Sequence, residues 1–294
     1  MIIDPLPEAW TFDAIGTGWR IDTAEAIPDA ARAAIADRIE RFDLDWSRFR
    51  DDSLVSRIAR SPGRYRMPDD APELLALYRE LYQASGGRVS PLVGRALESL
   101  GYDAQYRLTP AATRVPVPSW DDAVSWDGEY LTTATPVLLD VGAAGKGYLV
   151  DLVSGLLADH GIPEHVIDAS GDLLTRGVPL RVALEHPGDS TKAIGVVELS
   201  GGSDDAALCA SASNRRVWGD GLHHVLDAVT GEPTSHVIAS WAIASTARWA
   251  DGAATALFFD APANFYSLHN VVTIRMFANG RVERSPSFTG ELFT

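Results

Sequence analysis

Between residues 28 and 42, Ala31, Ile35 and Ile39 recur every fourth position, a spacing that gathers them on one face and predicts a helix. The run APELLALYRELYQA at 71–84, stopped by Gly86-Gly87, predicts a second. LVGRALESL, between Pro91 and Gly101, predicts a third. Residues 103–127 are rich in proline and polar side chains and read as irregular, whereas YLTTATPVLLDV at 130–141 reads as strands with a turn. After Lys146 the apolar positions Leu149, Val153, Leu156 and Leu157 again share a helical face, up to Gly161-Ile162-Pro163. HVIDASGDLLTRG at 165–177 then predicts two short strands around a Ser-Gly-Asp turn. Strand-like runs dominate the remainder (LRVALE, IGVVEL, ALCASAS, HHVLD, VIASWAIA), broken by one helix over 246–259. Asn279-Gly280 marks a closing hairpin. With no low-complexity linker and no short repeat, the pattern predicts a single α+β unit over 1–294, built of one or two subdomains.

Composition narrows the function. The chain has 294 residues and a net charge of −15, which repels nucleic acid and anionic membrane. An anionic ligand therefore needs a metal or a local positive pocket. Of 25 basic residues only Lys146 and Lys192 are lysines, so a lysine inside a glycine turn stands out. The single Cys209 excludes an internal disulfide and a cysteine-built zinc site. The start MIIDPLPEAW lacks the basic and apolar segments of a signal peptide, and no run reaches the roughly 18–20 apolar residues of a membrane span. These features predict a cytoplasmic protein.

The glycine turn is 140-DVGAAGKGYLVD-151. A P-loop needs a glycine where Asp140 stands, and a serine or threonine where Gly147 stands, so that reading fails twice. A dinucleotide-binding GxGxxG also fails on spacing. Two readings remain open at this point. The glycines let a helix pack closely on a strand, or Asp140, the free amides of a helix start and Lys146 form a metal-assisted phosphate site.

Two further constellations carry chemistry. In 223-HHVLDAVTG-231, strand alternation sets His224 and Leu226 opposite His223, Val225 and Asp227, beside a Thr-Gly-Glu-Pro turn that Asp227 is close enough to shape. In 250-ADGAAT-255, helical spacing puts Asp251 and Thr255 on one face, where a carboxylate and a hydroxyl suit a hard cation. Each has a plain alternative, a structural histidine in one case and a small-residue packing face in the other.

Taken in order, these pieces resemble the ApbE-like family, the FAD:protein FMN transferases. The glycine stretch is similar to the family's Asp-Leu-Gly-Gly-x-Ala-Lys-Gly-Tyr-x-x-Asp, 224-HVLDAVTGEP-233 to its His-x-x-Asp-Pro-x-Thr-Gly-x-Pro, and 250-ADGAAT-255 to its Ala-Asp-Ala/Gly-x-x-Thr. Weaker likenesses lie at 15-IGT-17, 47-SRFRDDSLVSRI-58, 90-SPLVGRAL-97 and 168-DASGD-172, collinear with the family over nearly the whole chain.

The resemblance implies an ApbE-like, T-fold-related α+β fold, with largely antiparallel sheets and packed helices around a flavin cleft. It implies transfer of FMN from FAD, as substrate, to a threonine or serine hydroxyl of a partner flavoprotein, with release of AMP. The implied cofactor is Mg²⁺, with Mn²⁺ as a substitute, held by Asp251, Thr255 and the main-chain carbonyl of Ala143. Ile15, Asp140 and Lys146 would contact FAD, and His224, with an ordinary pKa of about 6.5, would accept the acceptor's proton. FAD hydrolysis to FMN and AMP, or FAD binding without turnover, are the alternatives. The chain departs from the family pattern in Ile15 for Met, Gly145 for Ala, Ala228 for Pro and Ala210-Ser211-Ala212 for Thr-Ser-Gly. From sequence, Gly145 is expected to add flexibility and Ala228 to loosen the turn that positions the histidine.

Overall fold

The segment EAWTFDA alternates Trp10, Phe12 and Ala14 with polar or exposed neighbours, the period of a half-buried strand. In the computed structural model, which describes residues 2–3, 6–200 and 205–293, it is β1 (Glu8–Ala14). It turns through Ile15-Gly16 onto β2 (Thr17–Thr23), a hairpin to which the helical and strand patterns above assigned nothing. Six more strands complete the sheet: β3 (His165–Asp168), β4 (Asp172–Arg176), β5 (Ala206–Ala212), β6 (Val237–Ala244), β7 (Val272–Phe277) and β8 (Val282–Arg284). They pair antiparallel in chain order, from β1 at one edge to β8 at the other.

Alternation along these strands divides the core in two. Ile167, Leu174, Ala207 and Cys209 face the helices α1 (Asp29–Trp46), α2 (Ala71–Ala84), α3 (Gly145–Asp159) and α4 (Ala247–Ala256). Val166, Leu173, Leu208 and Trp241 face the other way, onto a small sheet built around the hairpin Leu180–His186 and Asp189–Leu199. The fold is thus mixed, with helices over one face of a wholly antiparallel sheet, as expected.

Several elements differ from the sequence reading in instructive ways. Helix α1 continues past 42 because Phe42 and Trp46 extend the same buried stripe. The helix after Pro91 breaks into a 3₁₀ turn (Pro91–Val93) and a short helix (Gly94–Ser99), where Gly94 lies directly on the Leu138 carbonyl. The irregular stretch ends in a helical turn (Trp120–Ala123) and a short strand (Val124–Trp126), and within 130–141 only Tyr130–Thr133 is strand. The helix Ala263–Leu268 was not anticipated. No helix of the described residues is long and apolar enough to cross a membrane.

Candidate active site

The loop from Asp140 to Gly147 is stitched to three other parts of the fold. One Asp140 oxygen closes the turn by accepting the Gly142 N–H at 2.7 Å, and the other accepts Arg48 Nε at 2.5 Å. Arg48 is buried, donates also to the Tyr102 carbonyl at 2.8 Å, and lies between the Phe49 and Tyr102 rings. The buried Tyr78 hydroxyl accepts the Ala143 N–H at 3.0 Å, and the Ala143 carbonyl accepts Thr255 Oγ1 at 3.2 Å. A Cβ on Gly145 would meet Val141 Cγ2 at 2.8 Å, so this glycine serves close packing and not the added flexibility expected from sequence.

Gly147 explains why the turn is not a P-loop. A Cβ there would sit 2.3 Å from the Ala247 carbonyl oxygen and 2.6 Å from Asp251 Cβ, so the position must be bare for α3 and α4 to touch. The close-packing reading therefore holds, except that the glycine meets a helix rather than a strand. Asp151, one turn further along α3, accepts the N–H groups of Ala247 at 2.7 Å and Arg248 at 3.1 Å, capping the start of α4. Burial pushes the Asp151 carboxyl up to about 6. Ser240 on β6 donates to the Ala254 carbonyl at 2.5 Å, pinning the other end of α4 to the sheet.

These contacts hold Asp251 and Thr255 beside the loop. Asp251 Oδ2 accepts the Gly147 N–H at 2.9 Å. Burial, and then the neighbouring carboxylate of Asp172, push the Asp251 carboxyl well above its usual range, against the pull of Lys146. The Lys146 ammonium lies 2.7 Å from Asp172 Oδ2 and donates to the Ala169 carbonyl at 2.7 Å. Burial disfavours that ammonium, but Asp172 and Asp251 outweigh it and the lysine stays charged with a raised pKa. Among the described residues no three histidine, cysteine, aspartate or glutamate side chains converge as a metal cluster. What converges here is an all-oxygen group: a carboxylate, a hydroxyl and a main-chain carbonyl.

His224 does not lie on a continuous strand. The chain pairs only at Leu222–His223 and Leu226–Asp227, with a bend at His224 between them. His223 turns into the protein, where its Nε2 meets the Thr234 carbonyl at 2.7 Å, while His224 faces the cleft. The expected ordinary pKa is also corrected. Burial, with Arg216 and His223 nearby, pushes His224 down to about 4 against the pull of Asp140, and its Nδ1 has no hydrogen-bond partner among the described residues. As expected, Asp227 shapes the following turn: Oδ1 accepts the Val229 and Thr230 N–H groups, and Oδ2 pairs with Arg88. Ala228 does not loosen this turn. Its N–H donates to the Arg88 carbonyl at 3.0 Å, a bond that proline could not make.

Ile15, Asp140, Ala143, Lys146, His224, Asp251 and Thr255 all line one cleft of about 730 Å³. Ile15 enters it from the β1–β2 turn with a left-handed φ of 45°, unusual for a branched side chain. The ApbE family model matches residues 15–274. The chain belongs to the ApbE family. Curated ApbE relatives named FAD:protein FMN transferase include one from Klebsiella pneumoniae, 28% identical over 84% of this chain and 77% of that protein. A protein of the same name from Salmonella typhimurium is 28% identical over 83% and 75%. Two solved ApbE structures share the fold. The ApbE protein of Thermotoga maritima matches with a TM-score of 0.81 at 22% identity, over 95% of this chain and 97% of that one. The flavin transferase ApbE of Vibrio cholerae matches with a TM-score of 0.77 at 21% identity, over 96% and 97%.

Three residues escaped the sequence reading: Arg48 and Asp172, which line this ApbE cleft, and Tyr78, which supports its loop. Arg48 and Asp172 lay inside stretches noted for their likeness to the family, without a role, and Tyr78 looked like one more apolar position of a helix. The available signal for Asp172 was a charged residue between a turn and the run Leu173-Leu174, where a strand has no other reason to begin with a carboxylate.

Proposed function

We propose that this chain is a magnesium-dependent FMN transferase, acting as one unit over residues 1–294. It would move FMN from FAD to a threonine or serine hydroxyl of a partner protein and release AMP. The observation that carries this reading is the meeting of Thr255 Oγ1 with the Ala143 carbonyl at 3.2 Å, beside Asp251, in the cleft that also holds Lys146 and His224.

The oxygen-only donor set fits a hard divalent cation, and so do the two Asp172 oxygens, which among the described residues meet no donor but the Lys146 ammonium. Asp251, Thr255 and the Ala143 carbonyl would hold Mg²⁺, or Mn²⁺ in its place. When bound, the ion would neutralise and polarise the pyrophosphate oxygens. Lys146 adds a fixed positive charge in a protein whose net charge of −15 otherwise repels the substrate. Ile15 and Asp140 would line the bound FAD.

The reaction joins the acceptor's hydroxyl oxygen to the phosphorus of the FMN half and breaks that phosphorus's bond to the bridging oxygen, which leaves with AMP. His224 is neutral at pH 7 and so has a free nitrogen lone pair to accept the hydroxyl proton. A pKa near 4 makes the empty enzyme's imidazole a weak base. An arriving pyrophosphate offsets the Arg216 charge and raises His224 toward a useful range.

The test is a mass spectrum of a candidate acceptor flavoprotein after incubation with the chain, FAD and Mg²⁺, with AMP measured in parallel. The expected result is a mass gain of one FMN that is abolished by EDTA and strongly reduced by Asp251→Ala. AMP without any modified acceptor would replace transfer with FAD hydrolysis. Bound FAD with neither product would leave a flavin carrier.

A further inference from the structure

Asp172 opens β4 directly after the Ser170-Gly171 turn, in which both residues have left-handed φ angles of 54° and 104°. The turn is fixed from several sides. Ser170 Oγ donates to the Gly18 carbonyl at 2.8 Å, Gly171 N donates to Asp168 Oδ1 at 3.2 Å, and Ala210 N donates to the Gly171 carbonyl at 2.9 Å. These bonds hold the Asp172 carboxylate in the wall of the cleft with 1% of its side chain exposed.

Its surroundings are unusual for a structural carboxylate. Apart from the Lys146 ammonium, 2.7 Å from Oδ2, neither oxygen has a hydrogen-bond donor among the described residues, although a buried carboxylate ordinarily collects several. Asp251 stands close enough to interact with it. With both carboxylates ionised, two buried acids and one lysine leave a surplus of one negative charge, the same crowding that pushes the Asp251 carboxyl up. An uncompensated buried charge is costly, and a cation in the same hollow would remove that cost.

We infer that Asp172 is a second carboxylate of the cation site, a positioning residue that anchors Lys146 and supplies the negative charge that sets divalent-ion affinity. This inference rests on the proposed reading of Asp251, Thr255 and Ala143 as cation ligands, and adds a residue to it. The Lys146 head, fastened to the 169–172 turn by two contacts, is held beside the ion's position and does not compete for the oxygens of Asp251.

The test compares Mn²⁺ binding, followed by electron paramagnetic resonance with and without FAD, in the wild type, Asp172→Asn and Asp172→Glu. Thermal unfolding is measured without metal. Asparagine keeps the shape but reduces the trio to a neutral Lys146–Asp251 pair. The expected result is a Mn²⁺ affinity lower by about 10–100-fold, the usual cost of losing a group that supports a metal site. Metal-free stability should be unchanged or higher, and glutamate should restore part of the affinity. A merely structural Asp172 would give the opposite pattern, with lower metal-free stability and wild-type affinity, and would overturn the inference. If the wild type itself takes up no Mn²⁺ in either condition, the cation reading fails together with it.

Discussion

Replacing Gly147 by alanine tests the contact on which the site depends. The added methyl would lie 2.3 Å from the Ala247 carbonyl oxygen and 2.7 Å from its carbon, both backbone atoms that no rotamer change can remove. Ordinary contact needs about 3.5 Å, so α3 and α4 must separate by roughly 1 Å. Overpacking of this kind costs about 1–3 kcal/mol, and a backbone obstacle places it near 3. At about 2–4 °C per kcal/mol for a large domain, the melting temperature should fall by about 6–12 °C. The same displacement stretches the 3.2 Å bond between Thr255 and the Ala143 carbonyl beyond hydrogen-bonding range, so Mn²⁺ affinity should fall as well. Gly147→Ser, which completes a Gly-Lys-Ser sequence, should do no better. Gly155, on the same helix with open space around its missing side chain, is the internal control. Gly155→Ala should raise the melting temperature through a helix-propensity gain of about 1 kcal/mol. Calorimetry and a Mn²⁺ titration read both effects. A Gly147→Ala protein that melts within about 2 °C of the wild type and binds Mn²⁺ equally well would refute the argument.

Other expectations follow from single contacts. His224 stays neutral in the folded chain down to about pH 4 but protonates near 6.5 when unfolded, so the unfolded state binds more protons in that window and stability falls as pH drops through it. The contribution is on the order of 3 kcal/mol, and His224→Gln should flatten the pH dependence of thermal unfolding between about pH 4 and 6.5; parallel curves for the two proteins would count against the burial argument. His224→Gln should also keep FAD binding while losing FMN transfer, and a fully active variant would remove its proposed role as base. Ala228→Pro, though closer to the family pattern, should lower stability by about 1 kcal/mol by deleting the bond to the Arg88 carbonyl, and a higher melting temperature would contradict this.

What the sequence made legible was what local patterns carry. The helix at 71–84 appears with those bounds because its apolar spacing and proline start lie within it and its glycine stop follows just after it at Gly86-Gly87. The three motif stretches meet in one cleft as the resemblance implied, since each motif is itself local. Less legible were features decided by distant partners. The β1–β2 hairpin is a strand pair because β3, far along the chain, gives β2 a neighbour. His224 leaves its strand because Leu226 and Asp227 pair with Glu232 and Pro233 rather than continuing from His223. Its depressed pKa depends on burial and then on Arg216, which no spacing reveals. Arg48 and Asp172 gain meaning only once Asp140 and Lys146 stand beside them.

The order of the pieces along the chain has a consequence for biosynthesis. Lys146 and Asp172 leave the ribosome well before α4, which brings Asp251, Thr255 and the backbone that Gly147 must touch. At about 5–20 residues per second, the lysine waits on the order of 5–20 s for its helix. Until then the nascent chain presents half of the cleft and the open edge of β5, to which β6 has yet to pair. A chain cut between Asp151 and α4 would carry the lysine motif intact but lack Asp251 and Thr255, and should have no activity. The late helix is the part whose arrival commits the protein to work, and the interval before it is when a chaperone or a protease has access.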